Sequence, residues 1–239
     1  MIALQITATT PHGVVLARPW GIPLDALLAS VIWHRKKTTA NEAGGHLKYH
    51  PDDEPEQLEL PLQRCGDHDD QDWHWMATFS DHHPRTDATA DPDIRWRTSR
   101  TDHLRLQQLT PSIGSQVVSD SSGRYQQRVI PAMAHIATTL TWRAVGDPDP
   151  ILELLTDLQA IGKNRGVGEG LVTRWSVITT PEVDLWSAGH EHAPGVLGRS
   201  IPIRCVRGTR ADPERAVTAT IRPPYLHPGS RVPAVHPQR

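Results

Sequence analysis

Paired cysteines are missing from this chain. Cys65 and Cys205 lie far apart and neither belongs to a CxxC pair, so neither a disulfide framework nor a zinc ribbon is indicated, and free thiols in a reducing cytosol are expected. No uninterrupted apolar run reaches the roughly 18 residues that a membrane-spanning helix needs. The opening MIALQITATTPHGVV has no basic start and no long apolar stretch, so no secretory signal is expected and the protein is read as soluble and cytoplasmic, without a membrane partner. Also missing is a phosphate-binding fingerprint in its working order. A Walker or dinucleotide loop needs a strand before its glycines and a helix after them. Here IGKNRGVGEG, residues 161–170, follows a helix-like stretch and precedes a strand-like one. The order is reversed, which argues against a mononucleotide loop.

What is present is a bare, positive loop. Gly162, Gly166, Gly168 and Gly170 surround Lys163 and Arg165. Glycines let a backbone come close to a phosphodiester chain, and amides and cations hold phosphates without reading sequence. The plain alternative is a helix cap, with Gly162 at the cap position, followed by a tight turn.

The net charge of −2 conceals a segregation. Residues 41–93 hold 3 Lys/Arg against 14 Asp/Glu, whereas residues 94–146 hold 7 Arg against 2 Asp. Outside the acidic segment the protein is basic, and because charge acts over about 8–10 Å, a basic face can persist beside an acidic appendage. A polyanionic partner is therefore compatible with the near-neutral total.

The 239 residues, 37% of them hydrophobic, suffice for one substantial core, and a single domain spanning 1–239 is expected. Ile2, Leu4 and Ile6 alternate as in a half-buried strand. Leu24 to Lys37 carries Leu24, Leu27, Leu28, Val31 and Ile32 on one helical face behind Pro23. Residues 41–93 read as an acidic insertion with short strands near 58–62 and 73–79. Residues 94–130 read as a thumb-like hairpin, followed by a central strand over 135–145. Ile151, Leu154, Leu155 and Leu158 mark a second helix with Asp147 or Asp149 as its cap. A strand from Leu171 and a β-rich C-terminal extension, residues 183–239 with strands over 201–206 and 215–221, complete the order. Strand, helix, paired strands, helix, strand is the βαββαβ order of an α+β, ferredoxin-like fold that also underlies RNA-recognition modules.

In that order, PLDALLA, WRTSRTDH (96–103), SSGRYQQRVIP (121–131), IGKNRGVGEG and RPPYLHP (222–228) resemble the repeat-associated RAMP proteins of CRISPR systems. Within these, the chain is similar to the type IV subunit of the Csf-three family, a relative of the Cas-five proteins. The likeness spans most of residues 1–230 and is poor across 41–93; the family's longer Lys/Arg run beside the central Trp is here spread as Arg95, Arg97 and Arg100.

The resemblance implies a noncatalytic subunit that binds the 5′ handle of a CRISPR RNA and caps a filament of backbone RAMP subunits, beside a large subunit and target DNA. It places the RNA backbone on the amides of Gly162, Gly166, Gly168 and Gly170 with Lys163 and Arg165. Glu169 points the other way electrostatically and is expected to face an internal partner. Tyr125 between Arg124 and Arg128 suits stacking on a splayed nucleotide or cross-strand packing. Arg95, Arg97 and Arg100 suit a hairpin folded over RNA or a solvated strand face. Arg222 and Tyr225 suit RNA contact or docking of the tail onto the body.

The histidines raise two further chemistries. A metal-independent endoribonuclease that processes precursor RNA is the alternative function. It needs a general base or acid oriented by a second group, and His34 and His103 are the candidates. A metal site drawn from His46, His50, Cys65, His68, Asp70, His74, His82 and His83 lacks the spacing of any zinc finger. No metal and no cofactor are therefore expected, and the acidic segment reads as a solvated loop.

Overall fold

The computed structural model describes residues 1–16, 20–47, 53–67, 70–84, 93–99, 102, 104–105, 108, 121–123, 126–134, 137–206, 214, 216–225 and 227–237. The chain is an α+β protein with antiparallel sheets. In order its elements are β1 (Ile2–Thr9), α1 (Leu24–Glu42), β2 (Arg64–Cys65), β3 (His74–Trp75), β4 (Asp81–Pro84), β5 (Asp93–Ser99), β6 (Arg128–Ala134), β7 (Ala137–Gly146), α2 (Pro148–Thr156), β8 (Arg174–Thr179), α3 (Leu185–His190), β9 (Glu191–Ala193), β10 (Val196–Leu197), β11 (Ile201–Pro202), β12 (Val217–Thr220) and β13 (Arg231–Val235). Among the described residues no helix is long and apolar enough to cross a membrane.

The central sheet runs β4–β7–β1–β8, with every neighbouring pair antiparallel. β1 occupies an inner place because its apolar alternation fits a strand covered on one face. Leu4, Ile6 and Ala8 are fully buried, while Gln5, Thr7 and Thr9 stay half-buried on the other side. On the buried face Leu4, Ile6, Leu140 and Trp142 meet Leu24, Leu28 and Val31 of α1 and Ile151 and Leu155 of α2. Trp142 donates its indole N–H to the Ile22 carbonyl at 2.8 Å, as a buried indole requires. The opposite face is covered at one end by α3, where Ala188 joins Ala3, Val145 and Met76. Beyond that cover it presents a half-exposed row that includes Thr7, Thr9, Thr139 and Thr141.

α1 runs five residues past its expected end at Lys37, although its last turns are polar. Arg35 holds them by pairing with Glu153 at 2.9 Å and Asp157 at 2.8 Å. α2 ends at Thr156, so Gly162 is not its cap. The strand expected over 58–62 is reduced to a bridge at Leu62, and that over 73–79 to β3 with bridges at Ala77 and Phe79. β11 stops at Pro202 and passes into a tight turn, Ile203–Cys205.

The acidic segment is not a solvated loop where it is described. Leu60, Leu62, Trp73 and Trp75 belong to the main core. Glu56 pairs with Lys36, Glu59 with Arg64 at 2.5 Å, and Arg204 spans Asp70 at 2.9 Å and Asp72 at 2.6 Å. The C-terminal extension, where β11, β13 and β12 form a three-stranded sheet, docks through fully buried Arg199. Its guanidinium donates to the Ala77 carbonyl at 2.8 Å and to the Ile221 carbonyl at 2.5 Å, and lies 3.7 Å from Asp25. Tyr225 donates to the Asp25 carboxylate at 2.9 Å. Burial raises the Asp25 carboxyl to about 6, opposed by Arg199 and then by Tyr225. Arg222 donates to the carbonyls of Gln71 at 2.7 Å and Trp73 at 2.9 Å. Arg222 and Tyr225 thus fasten the tail to the body.

Candidate nucleic-acid interface

The glycine loop is closed at its base by backbone pairing. Ile161 N–H donates to Gly170 O and Val172 N–H to Gln159 O, both at 2.9 Å. Two glycines are needed where this loop packs on its neighbours. A Cβ on Gly170 would sit 1.9 Å from Ile161 O, and one on Gly162 would sit 2.6 Å from Val14 Cγ2. Both residues also hold a positive φ, +66° and +83°, which L side chains rarely adopt. Beside them Lys163 N–H donates to Val15 O at 2.8 Å, which ties the loop to the chain that follows β1.

The other two glycines do something different. A Cβ on Gly166 or Gly168 would meet nothing within 4 Å. Gly166 lies inside a single 3-10 turn, Arg165–Val167, which is entered through Asn164 in the left-handed region at φ 63° and closed by Gly168 at φ 91°. Lys163, Asn164, Arg165, Gly166 and Gly168 are all exposed. Among the described residues neither Lys163 nor Arg165 forms an ion pair. The loop tip is therefore open backbone beside two free cations.

Glu169 turns inward, 7% exposed, and accepts from both Arg95 and Arg97, the latter at 2.7 Å. Arg95 also pairs with Asp93 at 3.1 Å and donates to the His12 carbonyl at 2.6 Å. Burial works against its charge, but Asp93 and then Glu169 more than offset this and hold the guanidinium above its ordinary value. Arg97 Nε is buried without a partner among the described residues. These contacts join the loop to the β5–β6 hairpin, whose Ala132 and Ala134 also pack on Val15.

The hairpin register explains the direction of these arginines. Side chains alternate across a strand, so Arg95 and Arg97 share the inner face, with Ala132 and Ile130 opposite them. Ile94, Trp96 and Thr98 then share the outer face with Met133, Pro131 and Val129. Trp96 is 68% exposed, and Ile94, Val129 and Met133 are exposed around it. Arg128 begins β6 and is exposed. Arg100, Arg124 and Tyr125 lie outside the described residues, as does His103.

The structure therefore divides the residues selected from sequence. Lys163, Arg165, Gly166, Gly168 and Arg128 face outward, Gly162 and Gly170 shape the loop, and Arg95 and Arg97 are engaged by Glu169. Sequence reasoning missed the arginines' partner and also Arg174, an exposed cation on β8 opposite Thr9. A lone glutamate among glycines was the available signal for the first. His34 is exposed on α1, and Arg35 and Lys36 after it are engaged by Glu153, Asp157 and Glu56. No known protein-family model and no curated protein matches the chain.

Proposed function

We propose that this chain is a noncatalytic RNA-binding subunit of a type IV CRISPR ribonucleoprotein, holding the 5′ handle of the CRISPR RNA at one end of a filament of backbone RAMP subunits. The observation that carries this reading is the glycine loop. Its base is fixed by backbone pairing and by Glu169, while its tip leaves Lys163, Arg165, Gly166 and Gly168 open to a phosphate chain. Contacts of that kind position a nucleic acid backbone.

A ferredoxin-like core of the RAMP kind is part of the proposal. It is supported by the order β4–β7–β1–β8 and by two helices packed together against one sheet face. The apolar outer face of the β5–β6 hairpin supports a contact with a neighbouring subunit or a base, since soluble monomers rarely leave such a patch uncovered.

The test is binding of a single-stranded RNA carrying the repeat-derived handle, measured over a salt series. Replacing Lys163 and Arg165 together by Ala weakens binding and lowers the slope of log K against log salt by about 0.7 per lost contact. An unchanged affinity and slope removes the assignment. A precursor RNA with the repeat hairpin stays intact with the protein in excess, with and without divalent metal. Cleavage at the hairpin base that is abolished by a change at His34 or His103 would make the chain an endoribonuclease instead.

A further inference from the structure

Cys65, His74, His190 and Cys205 come together on the side of the molecule where the acidic segment meets the C-terminal extension. Cys65 and His74 face each other across the short β2–β3 ladder. His190 is the last residue of α3, and Cys205 is the last residue of the turn after β11. Both histidines are fully buried, and both cysteines partly so. The two sulfurs lie 3.9 Å apart, and the two Nε2 atoms 2.9 Å apart. The ligand atoms of Cys65, His74 and Cys205 all lie within 4.8 Å of one another; His190 lies outside that group of three and meets it at His74 Nε2.

The hydrogen bonds on the far sides of the imidazoles define what the near sides carry. His190 Nδ1 is 2.7 Å from the Trp186 carbonyl, and His74 Nδ1 is 3.3 Å from the Asp72 carbonyl. A carbonyl only accepts, so each Nδ1 bears the proton, and a neutral imidazole has only one to give. Each Nε2 is then a bare lone pair. Two acceptors at 2.9 Å in a buried site repel one another unless a positive centre lies between or beside them. Bare imidazole nitrogens beside two cysteine sulfurs are the donors that a metal takes as ligands.

We infer that Cys65, His74, His190 and Cys205 form a structural zinc site of the Cys2His2 type. Zn–S bonds of about 2.3 Å and Zn–N bonds of about 2.0–2.1 Å in a tetrahedron put two sulfurs about 3.8 Å apart and two nitrogens about 3.3 Å apart. The observed 3.9 Å and 2.9 Å lie within a few tenths of an ångström of these. Carbonyls that orient the imidazoles from behind are the outer shell that histidine ligands of metals usually have. Four protein ligands leave no open position, so the ion holds structure and performs no chemistry. It fastens the β2–β3 hairpin of the acidic segment to α3 and to the turn after β11. This inference does not depend on the RNA reading.

The full chain, purified under reducing conditions without chelator, is expected to carry about one zinc per chain by elemental mass spectrometry. Metal-free reduced protein titrated with Co2+ should develop the visible bands of a tetrahedral site together with thiolate-to-cobalt charge transfer. Cys205→Ser and His190→Ala should lose the metal, whereas His190→Cys, which keeps a ligand, should retain it. If the replacements fail to fold, the zinc content and cobalt spectrum of the unaltered chain still decide. Zinc-free protein that also gives no thiolate–cobalt bands overturns the inference, as does zinc retained in full by folded Cys205→Ser and His190→Ala.

Discussion

The glycine loop and the acidic segment both concentrate charge, and they dispose of it in opposite ways. In the acidic segment the carboxylates of Glu56, Glu59, Asp70 and Asp72 are answered by cations of the same chain, and apolar residues between them enter the core. In the loop the one carboxylate, Glu169, turns inward to Arg95 and Arg97, leaving Lys163 and Arg165 exposed. A segment's formal charge therefore says little about which surface attracts a polyanion. What matters is where the charge left after pairing within the chain lies, and on the loop it lies on Lys163 and Arg165 at the exposed tip.

Removing Arg199 is the most severe way to probe that difference. Arg199→Met would leave the buried Asp25 carboxylate without its cation, at a loss of about 3–5 kcal/mol in urea unfolding. The RNA affinity of the folded fraction should not move. A loss below about 1 kcal/mol would show that inward pairing does not organise this side.

The pH dependence of the same carboxyl comes next. Burial raises Asp25 from 3.8 to about 6, so the folded chain holds this proton more tightly than the unfolded chain. Its contribution to stability is full below about pH 4 and is lost as pH rises to about 6, a difference of about 3 kcal/mol. Asp25→Asn should remove that part of the slope, and identical pH profiles for the two proteins would refute the placement.

On the loop the effects are smaller and depend on position. Gly170→Ala places a Cβ against Ile161 O in a left-handed backbone and should cost about 1–3 kcal/mol or more. Gly166→Ala enters open space and should stay within about 0.5 kcal/mol of the parent. Equal effects on stability from the two substitutions would erase the distinction between glycines that build the loop and glycines that expose it.

β1, α1 and α2 are legible in the sequence to within a few residues, because each has an apolar period that matches one covered face. The inward turn of Glu169 is legible too, from its sign among cations. Its partners are not, because Arg95 and Arg97 reach it through a hairpin docking far from it in sequence, and on their own they read as an RNA-facing stripe. The Cys and His cluster is hidden for the same reason: 115 residues separate His74 from His190, and no local spacing announces their meeting. β13 is obscured by Pro233, since proline normally marks an edge strand, yet β13 lies between β11 and β12. α3 has too few residues to establish a period.

The place of β1 in the central sheet bears on how the chain comes to fold during synthesis. β1 is made long before either of its neighbours, since β7 begins at Ala137 and β8 at Arg174. At ribosomal rates of about 5–20 residues per second, the Leu4, Ile6 and Ala8 stripe waits on the order of ten seconds or more before either pairing edge is filled. Through that interval β1 is an open strand with an apolar face, and the element of the chain made in time to cover that face is α1, which packs on it in the folded protein.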